Sequence, residues 1–398
     1  MEGLYAYVNQ KKMRRGITTG TCAAEAAFGA ASLLFSQRKD GVSIVTPAGL
    51  SVALSFFRQE RQEGYAWCSV KKDAGDDPDV TDGAEIQVRI SRTMEMAGGK
   101  GAGWYEYQEQ KVHLFLGPGP GVGVVTREGL SCPPGMGAIN PVPREMIFEQ
   151  VLRACREAGE TGSFYLTVSV PGGEEIAGKT FNPRLGIEGG ISVLGTKGIV
   201  EPMSQEALVE TIRLEIRQRA AAGEKEILAV PGNYGERFLE KTLGISPEQG
   251  VKCSNFLGSL LDFAGEYGIR RILLIGHGGK LIKLAAGIMN THSSVADGRM
   301  EILGAWAGAW GAGAERVGRI LSCITVDEAL GILEEEPSLL QPVMKSVMER
   351  IAVHLAGRAG KTVEVEAVLF TNERGIIGMT SGAEALIDQW KKGQKDGK

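Results

Sequence analysis

A chain of 398 residues exceeds what one hydrophobic core usually serves, so two domains are expected. Hydrophobic residues make up 43% and charged residues 23%, the balance of a soluble globular protein, and there is no long apolar run to cross a membrane. The formal net charge of −4 argues against nucleic acid, whose partners present a basic face; Lys11, Lys12, Arg14 and Arg15 cluster near the start but read as a solvated patch.

In chain order, the first strong element follows Arg15-Gly-Ile-Thr-Thr-Gly-Thr21. Residues 22–35 are Ala-rich and free of proline, which predicts a helix that Thr19 or Thr21 can cap by accepting a hydrogen bond from an orphan amide. Short β-branched or aromatic runs bounded by turn residues predict strands at 42–46, 52–57, 66–71, 85–90 and 112–116. Residues 143–159 read as a helix with proline near its start, and 164–170 as a further strand. After Gly223 the rhythm becomes strand, glycine turn, helix: strands at 226–230, 251–253, 271–275 and 363–370, helices near 236–243, 256–267 and 280–289. That alternation signals parallel βα units. The expected fold is therefore an α+β domain over 1–223 followed by a three-layer α/β domain over 224–398 with a parallel, Rossmann-like sheet, whose ligands gather at the carboxyl ends of its strands.

Glycine, at 56 residues, is about twice its usual share. Two stretches stand out: Gly117-Pro-Gly-Pro-Gly-Val-Gly-Val-Val-Thr126, continued by Ala138-Ile-Asn-Pro-Val-Pro-Arg-Glu-Met146, and the segment from Asn182 to Ser204. Both set Val, Ile and Leu between glycines at irregular spacings, unlike a polar linker. Glycine serves where backbone turns with positive φ or approaches something closely, so these stretches read as walls of a site for a large anionic ligand. The cysteines at 22, 68, 132, 155, 253 and 323 are scattered without metal-ligand spacing, and Met1 to Gln10 lacks the apolar core of a leader, which points to a reduced cytoplasmic protein. Four histidines without a His-x-x-x-His pair argue against a protein-built transition-metal site.

Three constellations could carry chemistry. Ile275-Gly-His-Gly-Gly-Lys-Leu-Ile-Lys283 lies at a strand-to-helix junction and Gly232-Asn-Tyr-Gly235 ends the preceding unit; together they predict a ligand crevice lined by Gly232, Asn233, Gly235, Gly276, His277 and Gly279, with a packing turn as the alternative. The P-loop spacing is absent. Lys71 to Asp82 holds five aspartates, which are either a polar turn or carboxylates crowded enough to raise one another's pKa and accept a proton, Asp76 and Asp77 foremost. His292, Ser293, Asp297 and Arg299 lie close in sequence, but no nucleophile elbow accompanies them, and a loop bordering a site is the better reading.

Seven motifs then run in a recognisable order: Arg15-Gly-Ile-Thr-Thr-Gly-Thr-Cys-Ala-Ala, Lys72-Asp-Ala-Gly-Asp-Asp-Pro-Asp-Val-Thr, Gly121-Val-Gly-Val-Val-Thr, Ala138-Ile-Asn-Pro-Val-Pro-Arg, Asn182 to Thr196, Gly276-His-Gly-Gly-Lys-Leu-Ile-Lys-Leu-Ala and Thr291-His-Ser. From about residue 13 to about residue 380 the series resembles the cobalt-precorrin-5B C1-methyltransferase family (CbiD type) of anaerobic cobalamin biosynthesis. Lys197 departs from it, standing where a second Thr is expected. The resemblance implies methyl transfer from S-adenosylmethionine to carbon 1 of a corrinoid that brings its own cobalt, giving cobalt-precorrin-6A. For such a reaction the carboxylate-rimmed substrate is expected against the first domain, where Arg15, Thr18, Thr19, Arg144 and Arg184 can meet its carboxylates, and the donor in the crevice of the second, where two glycine turns end neighbouring strands. A homo-oligomer and transient contact with neighbouring pathway enzymes are further expectations. A non-catalytic corrinoid carrier, or a phosphate-handling enzyme using the Gly276 turn, are the alternatives; donor binding separates the first, and the missing Lys-Ser/Thr pair counts against the second.

Overall fold

The computed structural model describes residues 5–8, 11–99 and 103–393, so the Met1–Gln10 stretch lies partly outside it. The chain is mixed α/β and divides into two units, Met1–Ser204 and Gln205–Lys398.

The first unit is built on a six-stranded sheet, ordered Arg58–Gln62, Tyr65–Lys71, Glu85–Ser91, Gly162–Ser169, Val112–Pro118, Tyr105–Glu109. Only the pairing of Val112–Pro118 with Gly162–Ser169 is parallel. The helix Thr19–Leu34 packs between this sheet and the helix Pro141–Ala158. Its composition dictates that position. With Ala at 23, 24, 26, 27, 30 and 31 the helix is narrow, and fifteen of its sixteen residues are buried. A Cβ on Gly29 would stand 2.6 Å from Cys68 Sγ on the sheet, and one on Gly20 2.7 Å from Pro143 on the second helix. Thr18 caps the helix, its hydroxyl accepting from Thr21 N–H, rather than the expected Thr19 or Thr21.

The two glycine-studded stretches meet in this unit. Gly121–Val122 pairs in parallel with Gly190–Ile191, and Val124–Val125 pairs antiparallel with Ile187–Glu188. Ile139 bridges Val193, and Gly16–Ile17 pairs with Ile199–Val200.

The second unit carries a five-stranded sheet, ordered Gly250–Lys252, Glu226–Val230, Arg271–His277, Glu364–Thr371, Gly375–Met379. The first three pairings are parallel and the last, at the edge, is antiparallel. Alternate residues feed two separate cores. Ile227, Ala229, Ile272, Leu274, Ala367 and Leu369 face one layer of helices, including Leu257–Glu266 and Leu340–Ala359. Leu228, Val230, Leu273, Ile275, Val368 and Phe370 face the other, with Phe238, Leu239, Leu386 and Ile387. A sheet covered on both faces needs apolar residues at successive positions, which is why these strands read as continuous hydrophobic runs.

The units part at Ser204, one helix before the expected boundary near Gly223. Helix Gln205–Ala221 groups with the second unit because Ile212 and Ile216 belong to its core. The expected helix over 280–289 is instead a short turn, Gly278–Leu281, continued as a 3-10 segment, Ile282–Ala286.

Candidate functional site

In the first unit the candidate residues come from loops and from the first turns of two helices. Gly16 and Gly75 let two backbones cross: a Cβ on Gly16 would stand 2.1 Å from the Ala74 carbonyl carbon, and Gly75 takes φ +70° beside Arg14. Arg15 bridges Gly75 and its guanidinium reaches Glu201 at 3.5 Å. Thr18 and Thr19 are buried and their hydroxyls are used within the chain. Thr19 Oγ1 donates towards Leu194 O at 3.2 Å and accepts from Leu194 N–H at 2.9 Å. The Thr19 hydroxyl thus joins the first helix to the second glycine stretch, while the Thr18 hydroxyl caps its own helix and its N–H donates to Gly198 O at 3.3 Å. Arg144 lies in the first turns of Pro141–Ala158, its guanidinium 3.9 Å from the ring centroid of Tyr105, with a buried Nε that has no hydrogen-bond partner among the described residues. Arg184 is half-buried in the turn before Ile187–Glu188, and its carbonyl accepts from Arg127 at 3.5 Å.

The aspartate-rich turn is organised by its cations. Lys72 is buried, and its ammonium meets Asp79 at 2.6 Å. Although desolvation pushes the Asp79 carboxyl upward, hydrogen bonds from Lys72 and Thr81 outweigh it and hold the group below its ordinary range. The Arg14 guanidinium, bonded to Asp73, lowers that carboxyl too. At Asp73 and Asp79 the crowding expected to raise carboxylate pKa values is thus overridden. Asp76 Oδ2 accepts Arg14 N–H at 2.6 Å, and Asp77 Oδ1 accepts Met203 N–H at 2.8 Å. Each bond uses one oxygen and leaves the other carboxylate oxygen outside it.

In the second unit the two glycine turns close the carboxyl ends of adjacent parallel strands. Lys280 ties them together, donating to Pro231 O at 2.6 Å. Gly276 serves packing: a Cβ there would lie 2.7 Å from Pro231 and 2.9 Å from Leu281. Gly235 is equally confined, 2.9 Å from Val230. Gly232 has room, its Cβ meeting only Lys280 Nζ at 3.7 Å, whereas a Cβ on Gly279 would press on His277 Nδ1 at 3.2 Å. Asn233 begins the helix Asn233–Phe238. His277 Nδ1 accepts Gly279 N–H at 3.1 Å, and burial lowers the imidazole pKa, with Asp327 opposing. A neutral ring accepting at Nδ1 carries its proton on Nε2, so this histidine presents a fixed donor. Tyr234 sits beside it with ring centroids 5.6 Å apart, and is 56% exposed. Tyr234 and Lys280 were not singled out from the sequence; the available signal was an aromatic residue between Asn233 and Gly235.

The His292 region does not assemble a triad. His292 Nδ1 bonds Ser294 Oγ at 2.6 Å, while Asp297 is clamped by Arg299 at 2.7 Å, a side-chain hydrogen bond that holds its pKa at about 2. A cavity of about 560 Å³ lies at the opposite, amino-terminal ends of the parallel strands, lined by Lys225, Arg270, Arg271 and Lys361 with Glu226 and Glu364. Among the described residues no group of three or more His, Cys, Asp or Glu is placed to hold a metal ion, and no helix is long and apolar enough to cross a membrane.

Comparison with known proteins identifies relatives over almost the whole chain. The family model described as CbiD matches residues 6–202, and one described as CbiD, C-terminal domain, matches residues 290–381. A cobalt-precorrin-5B C(1)-methyltransferase from Ruminiclostridium cellulolyticum is 44% identical over 390 residues, 96% of each chain. Another of that name from Thermoanaerobacter sp. is 41% identical, covering 94% of this chain and 97% of its own. The crystal structure of cobalamin biosynthesis protein (cbiD) from Archaeoglobus fulgidus is 28% identical and covers 71% of this chain and 84% of that one, with a TM-score of 0.38. With family models matching residues 6–202 and 290–381 and near full-length relatives, the chain belongs to the CbiD family.

Proposed function

We propose that this protein methylates carbon 1 of cobalt-precorrin-5B, with S-adenosylmethionine as donor, to give cobalt-precorrin-6A. The observation that carries the reading is the 44% identity, over 96% of both chains, to a relative named for that reaction. The donor supplies a methyl group already activated on a sulfonium; the cobalt arrives with the substrate. What remains for the protein is to hold two ligands in register and exclude water. In this reading the second unit, a Rossmann-like βα sheet, takes the donor, and the first takes the corrinoid. The enzyme works in the cytoplasm, and a homo-oligomer or transient contact with neighbouring pathway enzymes fits the same reading.

The second unit fits a nucleoside-bearing donor. Gly232 leaves backbone open, Gly279 holds the His277 ring through its N–H, Tyr234 offers an exposed ring, and His277 offers Nε2–H to a hydroxyl or carboxylate. Gly235 and Gly276 shape the turns that carry them, with Asn233 between. Because valine at Gly276 would strike Pro231 and Leu281, Tyr234 is the cleaner probe. Tyr234→Ala is expected to weaken donor binding in calorimetry about fivefold to tenfold, while Tyr234→Phe keeps it. Equal affinity in all three proteins would remove the crevice from consideration.

For the corrinoid, Arg144 and Arg184 carry charge in the unit that Arg15, Thr18 and Thr19 help shape. A hydrogen bond to a charged group is worth about 1.5–3 kcal/mol, so Arg144→Ala and Arg184→Ala should each weaken corrinoid binding about tenfold and leave donor affinity unchanged. A parallel loss of both affinities would make the residue structural. We assign proton acceptance to Asp76 or Asp77, each fixed by a backbone amide at one oxygen. The whole reading is tested by incubating the purified protein with cobalt-precorrin-5B and S-adenosylmethionine and following the mass gain of one methyl group; no gain, with both ligands bound, would overturn it.

A further inference from the structure

The opening ribbon of the first unit carries a surface that the assignments above do not use. Tyr5–Val8 pairs antiparallel with Lys11–Arg14, Tyr5 opposite Arg14 and Tyr7 opposite Lys12. Directly opposed residues of an antiparallel pair project to the same side. One face therefore carries two phenol rings and two cations, each ring across from a cation. The other carries Ala6, Val8, Lys11 and Met13, of which all but Lys11 are partly buried. On the first face Tyr5 is 46% and Tyr7 79% exposed, and Lys12 Nζ lies 4.4 Å from the Tyr5 ring centroid.

A two-stranded ribbon is marginal in water by itself, and these tyrosines bury no core. The ribbon is nevertheless fastened at its root. Arg14 N–H bonds Asp76 Oδ2 at 2.6 Å, Asp76 N–H returns a bond to Arg14 O at 2.9 Å, and the Arg14 guanidinium engages both oxygens of Asp73. The ribbon thus stands on the same aspartate turn that the proposed function assigns to proton acceptance. Arg14 is already committed to Asp73, which leaves Lys12 as the cation of this face without an ion pair among the described residues.

We propose that the outward face of this ribbon binds the corrinoid, Tyr5 and Tyr7 lying against its apolar macrocycle and Lys12 meeting one of its peripheral carboxylates. The proposal rests on the corrinoid reading given above. Charge complementarity selects this occupant: a flat, largely apolar ring with an anionic rim matches rigid aromatic rings that lose little entropy on contact, flanked by a cation. It also gives a role to Lys12, one member of a basic cluster that the sequence alone reads as solvated.

The test uses two stable cobalt corrinoids, cobyrinic acid with free carboxylates and cobinamide with amidated ones, titrated against the full chain by fluorescence quenching. Tyr7→Ala and Lys12→Glu are expected to weaken cobyrinic acid binding about tenfold or more, Tyr7→Phe and Lys12→Arg to stay near wild type, and donor affinity to be unchanged. Lys12→Glu should narrow the preference for cobyrinic acid over cobinamide. Wild-type affinity in Tyr7→Ala and in Lys12→Glu overturns the ribbon proposal alone. If the wild-type protein itself binds no corrinoid and methylates none, the underlying reading fails and this one with it. A shift in sedimentation of either variant, with corrinoid binding intact, would assign the face to a second copy of the chain instead.

Discussion

Asp77→Asn and Asp76→Asn are each expected to lower single-turnover methyl transfer about a hundredfold, with both ligands still bound. Asp77 Oδ1 is fixed by Met203 N–H and Asp76 Oδ2 by Arg14 N–H, so asparagine, presenting its carbonyl oxygen to the same amide, preserves the turn. What it removes is a basic oxygen. Asp73 and Asp79 are poor candidates for the same role, because the Arg14 hydrogen bond and the Lys72 ammonium stabilise their charged forms and make them weaker bases. If a proton leaves the macrocycle as carbon 1 gains its methyl group, the acceptor must be an oxygen that Arg14 and Lys72 have not already neutralised. Rapid-quench mass spectrometry gives the rate, and calorimetry shows that both ligands remain bound. Methylation at the wild-type rate in both variants would leave the turn a structural device that anchors the Tyr5–Val8 ribbon.

The parts of this fold that could be read from sequence are those where burial and backbone chemistry act locally. The parallel strands Glu226–Val230 and Arg271–His277 announce themselves because residues on both faces are apolar. The Ala-rich first helix does so because only small residues let it lie this close to both neighbours. Other elements were invisible for equally physical reasons. Arg58–Gln62 is a charged edge strand, polar in sequence and defined only by its pairing with Tyr65–Lys71. Helix Gln205–Ala221 was passed over for Gly223, though Gly223 only follows its end and the contacts of Ile212 and Ile216 decide its membership. The glycine stretches stand out in the sequence, but nothing in their spacing tells that they pair with each other. That the Thr19 hydroxyl bonds Leu194 and the Thr18 hydroxyl caps its own helix depends on a segment 175 residues away in one case and on the exact helix start in the other, and neither is written in the local sequence.

The largest effect on stability is expected at a residue the sequence reading passed over. Glu25 lies within the helix Thr19–Leu34, is 0% exposed, and neither carboxylate oxygen has a hydrogen-bond partner among the described residues. Desolvation pushes its pKa from the ordinary 4.5 up to about 9, so the folded protein carries it protonated at neutral pH. The sign of the linkage follows. A group whose folded pKa lies above its unfolded value contributes full stability below about 4.5, loses it progressively as pH rises, and stops losing it above about 9. Each pH unit in that window costs about 1.4 kcal/mol, and 2.5 units separate 4.5 from pH 7, so the deficit at neutrality is about 3 kcal/mol. Glu25→Gln retains the shape and a polar amide in place of the neutral acid but has no proton to release. It should match the wild type near pH 4.5, exceed it by about 3 kcal/mol at pH 7, and gain further towards pH 9. Glu25→Leu would separate this effect from burial of a polar group, since it removes both. The measurement is urea unfolding of the wild type and Glu25→Gln from pH 5 to pH 9. Two parallel stability curves across that range would show that Glu25 does not carry a bound proton, and that its carboxylate is solvated or paired inside the fold.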